Sequence, residues 1–379
     1  MVYVHVPFCL GKCIYCAFYS MTPGKGMQRS SALCKEDLFE AYTERVCQEM
    51  EDRKDEILSS VGEDGQYNTL YIGGGTPSVL PSSFFKEVSS TLLSIIPTPP
   101  SEFTVEVNPE DIALRGEKYV TELLGCGVNR ISMGVQSLDD DILKWMHRRH
   151  DSATVLRAVS ILRSCGIGNL SLDLIFGVPG MGMEKWEDTL ERTLDLHPEH
   201  LSAYQLSFDD GSALGKLLAL GKVSQESDEV CCEQYGLLCR KMRERGYLHY
   251  EVSNFCLEGM HSRHNSAYWE RVPYVGVGSM AHSFYRTSDG KEVRYSNSGA
   301  LMDREISSET LTQEDARLEE LMLSLRTSKG LPGKRLYELC DKDKVDGLLS
   351  EGSLSVQGNN LRIPEKKFFV SDSIICELA

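Results

Sequence analysis

Cys9, Cys13 and Cys16 stand as C-x3-C-x2-C directly after a short apolar run, with Gly11 and Lys12 between them letting the chain curl. Three thiols in one short loop can face a single point, and thiols held that close bind metal or react. A structural zinc needs four Cys or His ligands. No second C-x2-C or H-x3-H pair completes such a set, and His5, the nearest further donor, falls on the preceding run. Iron–sulfur cubanes normally take four cysteines, so three from one loop suggest a cluster with one iron open to an outside ligand. Three incidental buried cysteines are the plain alternative.

The elements that must hold this loop show in the hydrophobic pattern. Short β-branched runs alternate with longer segments of helical period over the first two thirds of the chain. The pattern predicts strands at 2–6, 69–72, 103–107, 130–134, 170–176 and 201–206, with helices at 36–58, 81–95, 116–124, 139–147, 152–164 and 183–196. That order implies an α/β protein with a parallel sheet and right-handed crossovers. Several strands end in Gly, Pro, Asn or Gln, as at Gly73 to Pro77, Asn108-Pro109, Gln136 and Gly177-Val178-Pro179. Binding loops of parallel α/β folds gather at these carboxyl ends. Beyond Gly221 a helix is expected at 226–245 and then aromatic-rich strands to His282. A last segment carries helices at 314–325 and 334–339 and a hairpin about Gly358-Asn359-Asn360.

The 379 residues, 41% hydrophobic and 25% charged, have the composition of a folded protein. With 40 Lys and Arg against 56 Asp and Glu, the net charge of −16 argues against nucleic acid as a partner. No run approaches the roughly 18 apolar residues of a membrane span. The first residues lack the basic and long apolar regions of a secretory signal, so a cytoplasmic location is expected. There the 13 cysteines are reduced thiols or metal ligands rather than a disulfide framework.

The stretch Tyr3-Val4-His5-Val6-Pro7-Phe8-Cys9 through Phe18 resembles the radical S-adenosylmethionine (SAM) superfamily. More closely it resembles the oxygen-independent coproporphyrinogen III oxidase group and its HemW-type haem chaperone branch, with motifs continuing in order to His282. The resemblance implies a partial (β/α)6 barrel over 1–221, haem- or substrate-side elements packed on it over 222–305, and a small HemN-type C-terminal α/β subdomain, winged-helix-like, over 306–379. It implies a 4Fe-4S cluster on Cys9, Cys13 and Cys16 whose open iron is chelated by SAM, which one electron cleaves to a 5′-deoxyadenosyl radical. By the same resemblance Tyr3, Gly74, Gly75, Thr76, Glu106, Gln136, Arg148 and Asp173 contact SAM.

These residue types suit such a ligand. Side-chain-free backbone at Gly74 and Gly75 can approach it closely, presenting N–H and C=O groups. Glu106 can meet its ammonium, Gln136 its ribose hydroxyls or carboxylate, and Arg148 can clamp the carboxylate. Asp173, inside an apolar strand, must be paired or bind a ligand. Each also has an ordinary reading, as a tight turn or an ion pair, and Arg149 competes with Arg148 for its role.

Two departures separate the chain from the oxidases, which resemble C-x3-C-x2-C-x-C and carry a long N-terminal arm. Phe18 stands in place of the further cysteine, and only Met1 and Val2 precede Tyr3. The segment His264-Asn265-Ser266-Ala267-Tyr268-Trp269 resembles the H-N-x-x-Y-W motif of the haem-chaperone branch. A neutral His264 imidazole can ligate haem iron, and Tyr268 and Trp269 offer flat surface to the macrocycle. A histidine beside aromatics is otherwise an ordinary structural residue. His261, His282 and His150 are unranked contributors, and Cys256 reads as core. The expectation is a haem chaperone that binds cluster, SAM and haem. It would act as a homodimer and deliver haem to an acceptor haemoprotein, such as a membrane respiratory enzyme. The alternative is an oxygen-independent coproporphyrinogen III oxidase forming protoporphyrinogen IX by radical decarboxylation; a further rival modifies haem itself.

Overall fold

In the computed structural model, which describes residues 1–23, 34–62, 65–299, 301 and 305–379, all six expected strands lie side by side in one sheet. The order begins β1 (Val2–Val6), α1 (Lys35–Asp52), α2 (Lys54–Ser60), β2 (Thr69–Gly74), α3 (Ser82–Ile95) and β3 (Glu102–Val107). It continues through α4 (Pro109–Gly125), β4 (Arg130–Gln136), α5 (Asp140–Trp145), α6 (Ser152–Ser164), β5 (Leu170–Phe176), α7 (Met183–Leu194) and β6 (His200–Gln205). Strands β1 to β6 are parallel and adjacent in chain order, the arrangement of a β/α barrel wall. Successive side chains of a strand face opposite ways. Thus Ile131, Met133 and Val135 of β4 join the core, while Arg130, Ser132 and Gly134 face the barrel interior. Side chains of Asn108, Asp139 and Asp151 cap α4, α5 and α6 at the turns that follow or precede the strands.

The remaining chain holds α8 (Ala213–Ala219), α9 (Asp228–Glu244), β7 (Leu248–Glu251), β8 (Asn254–Cys256), α10 (Arg263–Trp269) and β9 (Val275–Val277). After them come β10 (His282–Arg286), β11 (Glu292–Asn297), β12 (Ile306–Thr310), α11 (Gln313–Leu325) and β13 (Leu331–Pro332). The chain closes with α12 (Gly333–Leu339), α13 (Lys342–Ser350), β14 (Ser355–Gln357), β15 (Asn360–Arg362) and α14 (Ser371–Leu378). The aromatic-rich segment after Gly221 extends the barrel sheet at both edges. β8 pairs antiparallel with β6 and β7 with β8, while β9 pairs parallel with β1, giving the order β7-β8-β6-β5-β4-β3-β2-β1-β9. Both edges of β1 to β6 thereby gain ladder partners. Strands β10 to β12 form a separate antiparallel sheet, and β13, β15 and β14 a third.

One expected helix is interrupted and another is longer than expected. The segment 36–58 splits into α1 and α2 at Arg53, and α4 starts earlier than expected, at Pro109, and kinks at Gly116, whose φ is 68°. Arg53 is buried, and its guanidinium donates to Gly276 O (2.7 Å) on β9, Ser283 Oγ (3.0 Å) and Glu56, with Glu49 at 3.5 Å. Glu49 in turn accepts from Gly278 N and the Asn297 amide. This charged knot fixes the α1/α2 break to the β9 edge. Removing one partner of a buried pair typically costs about 3–5 kcal/mol. Arg53→Met is therefore expected to lower the unfolding free energy by about that amount in urea denaturation. A loss under about 1 kcal/mol would show that β9 holds without it.

Candidate functional site

The loop after β1 is closed by its own backbone: Met21 N donates to Pro7 O (2.7 Å) and Cys9 N to Met21 O (2.9 Å). Cys16 N donates to Cys13 O at 3.3 Å, a turn that folds those two cysteines together. Ile14, buried between them, is tied to Met146 and Leu214 through its backbone. Cys9, Cys13 and Cys16 all line one cavity of about 700 Å³ at the carboxyl ends of the strands. Gly74, Gly75, Thr76, Glu106, Gln136, Arg148 and Asp173 line it too. Ten of the fourteen residues singled out in the sequence thus meet in one place.

The glycine loop is built differently from the expectation that its amides face a ligand. Gly74 N donates to Glu106 Oε2 (3.0 Å), Gly75 N to Val6 O (2.7 Å) and Thr76 N to Phe8 O (2.8 Å), so these amides are used inside the protein. The glycines are required for closeness instead. Gly74 has φ 108°, and a Cβ there would lie 2.5 Å from the His5 ring; a Cβ on Gly75 would lie 2.7 Å from Phe8 O. Thr76 Oγ1 sits 3.3 Å from Cys9 Sγ.

Arg148 and Arg149 separate cleanly. Arg149 is held by Glu110 and Asp111. Arg148 reaches Gly134 O (2.6 Å) and Cys13 Sγ (3.3 Å), and its buried Nε has no partner. Gln136 sits at a bulge between β4 and β5 with φ 68°, a conformation rare outside glycine that aims it into the cavity. His150 packs behind, its Nε2 on Val135 O (3.1 Å) and its pKa pushed down to about 3 by burial and by Arg148.

Glu106 accepts from Tyr71 OH (2.8 Å) and Gly74 N. Burial, reinforced by Asp173, lifts its pKa to about 7 against the opposing pull of Tyr71, Gly74 and Arg130. Asp173 is raised by burial as well, and Ser132 (2.9 Å) and Ser171 (3.3 Å) donate to it. Tyr3 lies outside the cavity lining: its OH meets His5 Nδ1 (3.1 Å) and its ring stands 6.0 Å from Tyr71, one layer behind. His5 is further held at Tyr19 O (3.2 Å), away from the role of fourth ligand.

His264, Tyr268 and Trp269 lie on α10, which plugs the opposite, amino-terminal end of the barrel. Glu102, the first residue of β3, accepts from the N–H groups of Arg263 (2.8 Å) and His264 (2.9 Å). The His264 ring is buried, with Nδ1 on Thr69 Oγ1 (2.8 Å) and Nε2 on Tyr268 OH (3.1 Å). Both nitrogens are therefore engaged. Asn265 of α10 reaches the cysteine cavity, whereas Trp269 faces a separate groove. Cys256 is buried in β8, as a core residue.

Sequence reasoning missed the inward residues below the strand ends: Tyr71, Arg130, Ser132, Ser202 and Tyr204 also line the cavity. The available signal was a polar residue at every second position of otherwise apolar strands, as in Arg130-Ile131-Ser132-Met133 and Ser171-Leu172-Asp173-Leu174. Among the described residues no three His, Cys, Asp or Glu side chains converge on one ion position. Cluster thiolates each take a different iron, so a cubane places no such demand. Three soft thiols on one wall, a free Arg148 Nε and a glycine wall fit a three-cysteine cluster with a polar ligand beside it.

A buried carboxyl titrating near neutrality has a measurable signature. Because the folded pKa of Glu106 lies above its unfolded value of 4.5, its ionisation penalises the fold above pH 7. The wild type should gain stability relative to Glu106→Gln as pH falls from 8, by up to roughly 3 kcal/mol once pH is below about 4.5. Parallel curves in pH-dependent denaturation would show that Glu106 is ionised as in water.

Comparison with known proteins agrees with this architecture. The sequence model of the radical SAM superfamily matches residues 3–193. The chain is 31% identical over 356 residues to a Bacillus subtilis protein named heme chaperone HemW, covering 91% of this chain and 88% of that one. It is 32% identical over 369 residues to the zebrafish (Danio rerio) radical S-adenosyl methionine domain-containing protein 1, mitochondrial, covering 96% and 76%. Among solved structures, the coproporphyrinogen III oxidase HemN of Escherichia coli superposes with a TM-score of 0.74 at 18% identity, covering 100% of this chain and 89% of that one. Iron–sulfur and SAM chemistry is typical of this superfamily. A three-cysteine loop on β1, a parallel barrel wall and these alignments together show that the chain belongs to the radical SAM superfamily, in its HemW/HemN-like branch.

Proposed function

We propose that this chain is a haem chaperone-like protein, one that binds a 4Fe-4S cluster, SAM and haem and passes haem to an acceptor haemoprotein. The observation that carries the reading is the alignment, over nearly the full length of both chains, with a protein named heme chaperone HemW. Phe18 supports it: where the oxidases have a further cysteine, this chain places an aromatic ring, 66% exposed, at the cavity edge. A second reading, radical decarboxylation of coproporphyrinogen III, is favoured by the fold shared along the whole chain with the E. coli oxidase. Both readings belong to the haem and porphyrin pathway.

In this proposal Cys9, Cys13 and Cys16 hold the cluster, which when bound supplies the electron for reductive cleavage of SAM. Glu106 takes the SAM ammonium, Arg148 the carboxylate and Gln136 the ribose. Gly74, Gly75 and Thr76 form the close wall, and Asp173 binds from below. Tyr3 acts through Tyr71, as a positioning residue. A cationic ammonium favours ionised Glu106, so SAM binding should draw a proton off that carboxyl near neutral pH. His264 and Tyr268 fix α10, and Trp269 is the member of the motif turned toward a ligand. The barrel, the elements after Gly221 and the last segment act as successive domains 1–221, 222–305 and 306–379, the last winged-helix-like. A homodimer and a cytoplasmic setting complete the reading, with membrane contact only through the acceptor. No helix among the described residues is long and apolar enough to cross a membrane.

Cys13→Ala and Cys16→Ala should each abolish the iron–sulfur absorbance of anaerobically reconstituted protein while its fold, followed by circular dichroism, persists; full iron content in either would remove that cysteine from the ligand set. The decisive experiment is anaerobic incubation of reconstituted protein with SAM, dithionite and coproporphyrinogen III, with haem binding followed on the same sample. Haem binding without protoporphyrinogen is the expected result. Turnover to protoporphyrinogen would overturn the chaperone reading in favour of the oxidase, and a ring-modified haem would overturn both.

A further inference from the structure

A second cavity lies away from the cysteines. It is a groove of about 1400 Å³ between α10, the β10–β11 hairpin and the helices α11 and α12. Tyr250 and Trp269 form one wall, and Leu311, Leu331 and Leu339 contribute apolar surface across from them. At this wall sits His261, in the loop between β8 and α10, its ring edge-on to Tyr250 at 4.7 Å and 65°. Its environment differs from that of three other histidines in the fold. His264, His200 and His249 each engage both ring nitrogens within the protein, whereas neither nitrogen of the half-buried His261 has a hydrogen-bond partner among the described residues.

Cations stand at the rim. Lys329 pairs with Glu270 at 2.8 Å with side chains 68% and 39% exposed, and Arg286, 46% exposed, pairs with Glu292. The exposed Lys329–Glu270 pair contributes about 0–1 kcal/mol, so an incoming carboxylate can replace Glu270 at little cost, and Glu292, 15% exposed, keeps Arg271 (2.6 Å) when Arg286 turns to another partner. The groove is charged over much of its lining, but the Tyr250, Trp269 and leucine surfaces give a macrocycle faces to pack on, His261 gives it an imidazole with free nitrogens, and the cations at the edge give its propionates partners, as an iron tetrapyrrole requires.

We propose that the groove is a haem site in which His261 is the axial ligand, Trp269 packs against the macrocycle, and Lys329 and Arg286 meet the propionates. The proposal rests on the haem reading above and replaces His264 as ligand, leaving that residue to hold α10. The same helix presents Asn265 to the cysteine cavity and Ser266 and Trp269 to the groove, so the two sites share one wall.

The test is titration of the anaerobically reconstituted full chain with ferric haem and, separately, with metal-free protoporphyrin IX. Soret spectra and electron paramagnetic resonance report the iron ligand. His261→Ala should weaken haem binding by about tenfold or more, remove the histidine signature and leave iron–sulfur content and protoporphyrin binding unchanged, with added imidazole restoring the haem spectrum. Lys329→Glu should weaken both porphyrins. His261→Ala with wild-type haem affinity and spectrum would overturn this site and leave the chaperone reading standing. Wild-type protein that binds no haem would overturn the chaperone reading itself, and the site with it.

Discussion

Carboxylates inside a barrel wall are the constraint around which this structure is arranged. Glu106 on β3 and Asp173 on β5 face an interior from which bulk water is largely removed, where an unpartnered ionised group costs several kcal/mol. The fold meets that cost with donors taken from neighbouring strands. Tyr71 and Gly74 of β2 serve Glu106, Ser132 of β4 and Ser171 of β5 serve Asp173, and Arg130 supplies positive charge to both. Even so, burial prevails at Glu106 and leaves its pKa near neutrality. A carboxyl poised there gains most from a cationic ligand, because ion pairing and proton release act together.

The same strands that cradle the carboxylates fix the cysteine loop. Glu106 holds Gly74 and the next two amides hold Val6 and Phe8, so the carboxylate, the glycine turn and the start of the cysteine loop form one hydrogen-bonded unit. The close wall at Gly74 and Gly75 therefore serves assembly as much as ligand approach. At the other end, Glu102 grips the first amides of α10 and seals the barrel floor. The site is bounded from above by thiols and from below by a helix whose far side opens on a different groove.

That arrangement changes the meaning of the H-N-x-x-Y-W segment. Its histidine is a strut between β2 and Tyr268, its asparagine belongs to the barrel cavity, and its tryptophan belongs to the groove. A motif that reads as one ligand set along the chain is split by helical geometry among three surroundings, because neighbouring positions on a helix point about 100° apart.

Local pattern determined a great deal here. The C-x3-C-x2-C spacing is short enough that loop geometry alone brings the thiols together, and the strand and helix periods identify the parallel α/β wall with its active carboxyl edge. Polar residues closing those strands, Glu106 and Gln136 among them, were legible for the same reason. What required the tertiary structure was everything set by non-local pairing. The joining of β9 to β1 and of β8 to β6 depends on contacts between segments about 270 and about fifty residues apart, which no period records. Arg149 is spent on Glu110 and Asp111 while Arg148 reaches Cys13, a distinction between adjacent identical residues that only their different neighbours make. Tyr3 recedes behind Tyr71, and His264 is occupied while His261 is free, because hydrogen-bond partners are assigned by packing in three dimensions rather than by position along the chain.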